Sequence, residues 1–287
     1  MNSLLKCAAK IIIIVFIGGF AGATLVRFAP GYGVIEEELD SRLSGDSIRA
    51  LRLSHESPRN LMSFYLQYGD KILHGDLGFS IAMREPVRQL IAERLPETIK
   101  SVGFGLALGW TVGLSLAILS VTARSATVDF GMSMVATIAL CTPAAVLALL
   151  CVITQTPGRL VIAAIIFPKV FQYARNLLSR SAALPHVLAA RARGLTGPRI
   201  FLWHILPVAA PQLVAVAGVT ISTAFAAAIP VEALCDIPGI GQLAWKAALA
   251  RDLELLVMLT MIVTMVTLLA NSTAELLGKA IGPRVTL

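Results

Sequence analysis

Charge is what this sequence has least of. Asp, Glu, Lys and Arg make up only 14% of its 287 residues, against 56% apolar. A soluble domain carries about 25% charged residues, so the chain lacks the polar surface to cover a water-soluble globule. An ordinary soluble enzyme and a disordered chain are excluded on that ground. Cysteine is scarce as well. Cys7, Cys141, Cys151 and Cys235 are scattered, no pair has CxxC spacing, and no disulfide framework is suggested. They read as small buried hydrophobes. His55, His74, His186 and His204 are dispersed too, and read as surface or capping residues.

The motifs of chemistry are also missing. There is no GxxxxGK[ST] phosphate loop, since Gly278-Lys279 lacks the upstream glycine and the following hydroxyl. His55-Glu56 has no second histidine at zinc spacing, and no GxSxG elbow occurs. No catalytic residue, no metal ligand and no cofactor site is expected in this chain.

Long apolar runs are what it does have, with a mean hydropathy of +0.79. At about 20 apolar residues per span, they predict an all-α, multi-span membrane protein. The runs are Ile11–Val26, Ser101–Val121, Phe130–Ile153, Leu160–Tyr173, Pro211–Val231 and Leu255–Ala270. The last extends through Asn271 to Leu277. The fourth is short and holds Pro168 and Lys169, and is expected to continue as helix through Leu177. The first run, with Lys6 and Lys10 ahead of it and Ala21-Gly22-Ala23 near its end, has a rival reading as a cleavable signal peptide. A retained helix is favoured, because six spans put both termini on one side.

Lys and Arg set the orientation. Arg175, Arg180, Arg191, Arg193 and Arg199 lie between Gln172 and Leu206 with no Asp or Glu. By the positive-inside rule this segment is cytoplasmic. Both termini are then cytoplasmic, and Arg27–Glu97 lies outside. That outer segment holds nine Lys/Arg and eleven Asp/Glu, and is long enough to be exempt from the rule. The net charge of +7 is therefore mostly topological, and nucleic acid is not an expected partner. Within the outer segment, Glu36–Leu53, Phe64–Leu73 (ended by His74-Gly75-Asp76) and Val87–Arg94 read as short amphipathic helices on the membrane face.

The cytoplasmic connection is the most sharply punctuated part. Pro185 suits the first turn of a helix and Gly194 the residue past its end, giving a helix over Pro185–Arg193. Thr196-Gly197-Pro198 starts a second, Arg199–Ile205, ended before Pro207. Spacing alone leaves two readings: a basic loop that only fixes topology, or a rigid docking element with Arg191 and Arg193 available for charge-assisted contacts. Gly105, Gly109 and Gly113 form a GxxxGxxxG face on the second span. It lets another helix approach closely, from this subunit or from a neighbour. Lys169 either snorkels to an interface or lines a pathway, with Glu232 its most plausible acidic counterpart.

Here the order of motifs resembles a known family. Ala189-Ala190-Arg191-Ala192-Arg193-Gly194-Leu195 followed by His204-Ile205-Leu206-Pro207 is similar to the EAA loop of ABC importer permeases. More narrowly, the chain resembles the B-type permease subunit of dipeptide, oligopeptide and nickel importers. Arg27-Phe28-Ala29-Pro30-Gly31, Gly75-Asp76-Leu77-Gly78-Phe79-Ser80, Arg94-Leu95-Pro96-Glu97-Thr98, Val231-Glu232-Ala233-Leu234, Ile237-Pro238-Gly239-Ile240-Gly241 and Arg251-Asp252 agree in order along nearly the whole chain.

The resemblance implies a type I ABC importer permease fold with six transmembrane helices in a bacterial inner membrane. Residues 1–27 would be an N-terminal transmembrane helix, 28–97 an extracytoplasmic segment, and 98–280 a five-helix core with a coupling helix at 185–194. It implies a second permease subunit, two cytoplasmic ATPase subunits that use ATP and Mg, and an extracytoplasmic solute-binding protein, with membrane lipid around the assembly. Leu188, Ala189, Ala190, Arg191, Ala192, Arg193 and Gly194 would couple to the ATPases. Glu232, Pro238, Gly239 and Gly241 would shape an outer gate or turn. Leu188 departs from the family pattern, which has a polar residue there. Thr154–Arg159 is a short connection for the family, and Asp236 stands where an aromatic is common. The function implied is a permease for small peptides or a related solute. The alternatives are a standalone secondary transporter or channel, and a membrane scaffold that recruits a cytoplasmic protein.

Overall fold

The computed structural model describes residues 77–80, 82–123 and 125–281, together with the isolated helical residues 14, 17, 18 and 24. Most of the first apolar run, and the amphipathic segments Glu36–Leu53 and Phe64–Leu73, lie outside the described residues. Two short strands, β1 (Phe79–Ser80) and β2 (Glu85–Pro86), pair antiparallel, with Phe79 opposite Pro86 and Ser80 opposite Glu85. The rest is helical: α1 (Val87–Ala123), α2 (Ala126–Cys141), α3 (Ala144–Thr154), α4 (Gly158–Ala182), α5 (Pro185–Ala192), α6 (Gly197–Ile200), a π-helical turn (Phe201–Ile205), α7 (Leu206–Leu234), α8 (Ile240–Leu249) and α9 (Leu253–Ile281).

Among the described residues, four helices are long and apolar enough to cross a membrane: those over Val87–Ala123, Gly158–Ala182, Gly197–Leu234 and Glu254–Ile281. Taken together as one bent span, α2 and α3 would make a fifth by length and composition. An all-α, multi-span architecture follows, as the apolar runs predict.

Three local expectations need correction. The run Phe130–Ile153 is not one helix, because α2 and α3 meet at 95°. Pro143 has no amide hydrogen to give, and a residue before proline is pushed out of the helical region; Thr142 is extended at φ −82°, ψ 121°. Val87–Arg94 is not a separate surface helix but the first turns of α1, which runs unbroken through Pro96. Pro96 forfeits one i→i−4 hydrogen bond, and the apolar stretch beyond carries the helix on. Third, the helix after Thr196 does not end before Pro207. One π turn intervenes, with the Leu206 amide donating to the Phe201 carbonyl, and α7 starts with Pro207 in its first turn, where a missing donor is harmless.

The described chain divides into two units. One comprises 93–245 and 265–281, the other 77–92 and 246–264. In the larger unit α4 packs against α7, with α2 and α3 alongside. Gly105, Gly109 and Gly113 bring α1 onto α4. A methyl at Gly105 would stand 2.7 Å from Ile162 Cβ, at Gly109 2.9 Å from Ile166 Cβ, and at Gly113 2.7 Å from the Phe167 carbonyl. Only glycine permits that approach. Trp110 Nε1 donates to Thr220 Oγ1 at 3.0 Å, tying α1 to α7.

Two apolar clusters stack along this unit. One centres on Ile162, Ile166, Ala224, Ala228 and Val231. The other holds Phe171, Leu178, Val187, Ala190, Ile200 and Ile205. In the smaller unit the Asp252 carboxylate caps α9, accepting from the Leu255 amide at 3.1 Å. It also accepts from Ser80 Oγ at 2.6 Å and the Ala82 amide at 3.2 Å, which pins the β1–β2 turn.

Candidate functional site

The two ends of α7 carry the residues singled out from the sequence. At its N-terminal end, α5 is an eight-residue helix with Pro185 in its first turn. Gly194 ends it at φ +76°, a left-handed conformation that L side chains resist. The Leu195 amide reaches back to the Ala190 carbonyl at 3.4 Å and the Gly194 amide to the Arg191 carbonyl at 2.9 Å, in the manner of a Schellman motif. Val187 and Ala190 turn inward and are buried. Leu188, Ala189, Arg191, Ala192, Arg193 and Gly194 are exposed. Of the seven residues assigned to coupling, Ala190 is therefore an anchor in the core, and the other six form the outer face.

Leu188 is 56% exposed, so an apolar side chain stands near Arg191 on the outer face of α5. Arg191, Arg193 and Arg199 form no ion pair among the described residues. Arg175, nearer the span, does: its guanidinium grips both carboxylate oxygens of Asp129 on α2, and Ser120 of α1 donates to the same group. The sequence reading missed this three-helix clamp, although Asp129 stands as a lone acid immediately before the apolar run Phe130–Ile153. His186 and His204, far apart in sequence, meet here. Their rings stack with centroids 6.4 Å apart, and His186 Nε2 lies 3.2 Å from the His204 carbonyl.

At the other end of α7, Glu232 is wholly buried. Its carboxyl oxygens accept from Thr98 Oγ1 at 3.1 Å, Ser101 Oγ at 3.2 Å and the Gly241 amide at 2.7 Å. Thr98 Oγ1 in turn accepts from the Ile240 amide at 2.7 Å. The start of α8 thus turns its free amides onto a carboxyl group, the arrangement a helix N-terminus favours. Pro238 and Gly239 make the connection, Pro238 exposed and Gly239 buried. Any side chain at Gly239 would run into the Glu232 carboxyl, and a methyl at Gly241 would stand 2.7 Å from Ile229 Cα. Both glycines are there for closeness rather than for an unusual backbone. Thr98 and Ser101 were not identified as site residues from sequence; two hydroxyls three apart at the start of an apolar run were the signal. Asp236, at φ +51°, accepts from Gln242 Nε2 at 2.6 Å, and Gln242 Oε1 accepts from Arg94 at 3.3 Å.

A cavity of about 500 Å³ opens beside this turn, with Lys100, Arg159, Gln155, Cys151, Cys235 and Asp236 in its wall. The short connection Thr154–Arg159 forms one side of it. Lys169 lies near the middle of α4, half-buried, its Nζ 3.5 Å from Thr223 Oγ1. It does not meet Glu232. Thr223 precedes Glu232 by nine residues on α7, roughly 13 Å of helix, and the Glu232 carboxyl is taken by other donors. Cys151 is buried and Cys235 half-buried, but Cys141 is exposed, so the reading of all cysteines as buried does not hold there. Cys7 lies outside the described residues.

Comparison with known proteins gives the following similarities. The sequence profile of the family described as binding-protein-dependent transport system inner membrane component matches residues 105–287. The oligopeptide transport system permease protein OppB of Haemophilus influenzae is 25% identical over 283 residues, covering 91% of each chain. The oligopeptide transport system permease protein AppB of Bacillus subtilis is 23% identical over 250 residues, covering 77% of this chain and 79% of its own. Among solved structures, an inward-facing methionine ABC transporter, MetNI, superposes with a TM-score of 0.60 at 18% identity, covering 68% of this chain and 97% of that one.

Proposed function

This chain belongs to the family of inner membrane components of binding-protein-dependent transport systems, a permease component and not an enzyme, and from that premise we propose how it works. It pairs with a second permease subunit to form the transmembrane pathway for small peptides or a related solute. An extracytoplasmic binding protein delivers the solute. Two cytoplasmic ATPase subunits, using ATP and Mg, drive the cycle through α5. Both termini lie on the cytoplasmic side with α5, and lipid covers the exposed apolar faces.

The observation that carries this reading is the build of α5. Val187 and Ala190 fix it into the core of the larger unit, while Leu188, Arg191 and Arg193 project outward. A loop that only set topology would need the arginines, but neither the rigid cap at Gly194 nor an exposed leucine. An apolar knob flanked by two cations suits a groove with acidic edges. ATP binding can shift the permease between states only through contacts that differ between those states, and a helix anchored on one side and exposed on the other transmits such a difference. The peptide assignment rests on the relatives' names. A cation at mid-span, Lys169 beside Thr223, gives the pathway a group that attracts a peptide carboxylate.

The test is purification of the tagged chain from its native membrane in mild detergent, with mass spectrometry of what accompanies it. Recovery of a second permease and of ATPase subunits in stoichiometric amount is expected. Recovery of this chain alone, with a control importer intact under the same conditions, would contradict the proposal and favour a standalone carrier or a scaffold.

A further inference from the structure

Two of the four cysteines meet beside the outer turn, although they are 84 residues apart in sequence. Cys151 sits in the last turn of α3 and Cys235 just past the end of α7. Cys235 Sγ lies 3.8 Å from the carbonyl of Ala148, one helical turn before Cys151 on the same face of α3. Cys151 Sγ is 2.7 Å from the Thr156 carbonyl. Two residues on, a methyl placed at Gly158 would stand 3.3 Å from Cys235 Sγ. Both thiols are free, and both line the 500 Å³ cavity. They are therefore neighbours across one small opening, at the end of α7 opposite the basic connection.

We propose that Cys151 and Cys235 are a redox-active pair that closes to an intramolecular disulfide on the extracytoplasmic side, joining the end of α3 to the end of α7. The side assignment rests on the orientation given under the proposed function. That side faces an oxidising compartment, where disulfides form and persist. The oxidant is a disulfide, protein or small molecule, that reaches the cavity. The thiolate of Cys235, the more exposed of the two, attacks it, forming a mixed disulfide and expelling one thiolate. The thiolate of Cys151 then attacks Cys235 Sγ, forming the Cys151–Cys235 bond and expelling the second thiolate. The two protons pass to the expelled thiolates. The chain loses two electrons, and the oxidant gains them. Burial, with the neighbouring Cys151 sulfur, pushes the Cys235 thiol up to about 11. Below that value the pair is slow to close, and its rate rises as Cys235 deprotonates.

The experiment uses membranes bearing the full-length chain, exposed to bis(2-hydroxyethyl) disulfide, quenched in acid, alkylated and mapped by mass spectrometry. The expected result is a Cys151–Cys235 cross-linked peptide, with both thiols lost together and recovered by dithiothreitol. The initial rate should climb about tenfold per pH unit through the neutral range, following the thiolate fraction. In Cys151→Ser the reaction should stop at a mixed disulfide on Cys235. If both wild-type cysteines stay alkylatable while a control dithiol is oxidised, or if Cys235 halts at the mixed disulfide in the wild type, the pair does not exist. The wild-type map decides even if the variant fails to accumulate. Separately, after reduction with dithiothreitol, a membrane-impermeant maleimide should label Cys235 in intact cells. Labelling only after permeabilisation would overturn the side assignment, and with it the orientation on which it rests.

Discussion

The two ends of α7 are built on opposite plans. At the Leu234 end, every group of the turn is answered from within the chain. Glu232 has Thr98, Ser101 and the Gly241 amide; Asp236 has Gln242, and Gln242 has Arg94. At the Leu206 end, only the inward half is answered. Val187 and Ala190 are in the core, while Leu188, Arg191 and Arg193 have nothing opposite them among the described residues. A self-satisfied polar cluster rigidifies what it joins. A half-satisfied one on a rigid support is the form expected of a surface completed by another protein. Substitutions at the first end should therefore act on stability, and those at the second on coupling.

The largest effect is expected at Glu232. Glu232→Ala strands the Thr98 hydroxyl and the Gly241 amide in a buried site, while Ser101 keeps the Thr98 carbonyl at 3.1 Å. Each orphaned donor costs about 1–3 kcal/mol, so a loss of about 2–6 kcal/mol is expected. Thermal unfolding of the detergent-extracted protein would show it, and an unchanged Tm would break the contrast between the ends. Gly239→Ala comes next. Its methyl cannot coexist with the Glu232 carboxyl in place, and forced repacking of that kind costs about 1–3 kcal/mol. The same order of loss is expected for Gly109→Leu, whose side chain meets Ile166, and the same melting assay checks both. Last, Lys169→Met should leave Tm in place and lower uptake by about threefold, the scale of one partly solvated charge contact. Unchanged uptake of labelled peptide would remove Lys169 from the pathway.

How much of this was legible beforehand follows from the range of the forces involved. The four spans over Val87–Ala123, Gly158–Ala182, Gly197–Leu234 and Glu254–Ile281 were legible because a run of apolar residues needs no knowledge of the rest of the chain. The helix Pro185–Ala192 was legible because its punctuation is local, with proline at one end and glycine at the other. The bend at Thr142-Pro143 was missed because the residues on both sides are equally apolar, and hydropathy has no term for direction. The π turn at Phe201–Ile205 was missed because proline usually ends a helix, and a single widened turn leaves no mark in composition. The Glu232 cluster was half legible. Its own turn carries a Pro-Gly signature, but its donors Thr98 and Ser101 lie more than 130 residues earlier, and only the fold brings them together. The meeting of Cys151 and Cys235 has the same cause.

The most direct test of the account is Arg191→Glu in the assembled importer, read as solute uptake and ATP hydrolysis side by side with the Tm of the purified protein. The side chain is exposed on α5, so the fold has no stake in its charge. The account predicts an unchanged Tm with uptake lost and hydrolysis no longer responsive to solute. Normal coupled uptake in that variant, or a fall in Tm that accounts for the loss, would contradict it.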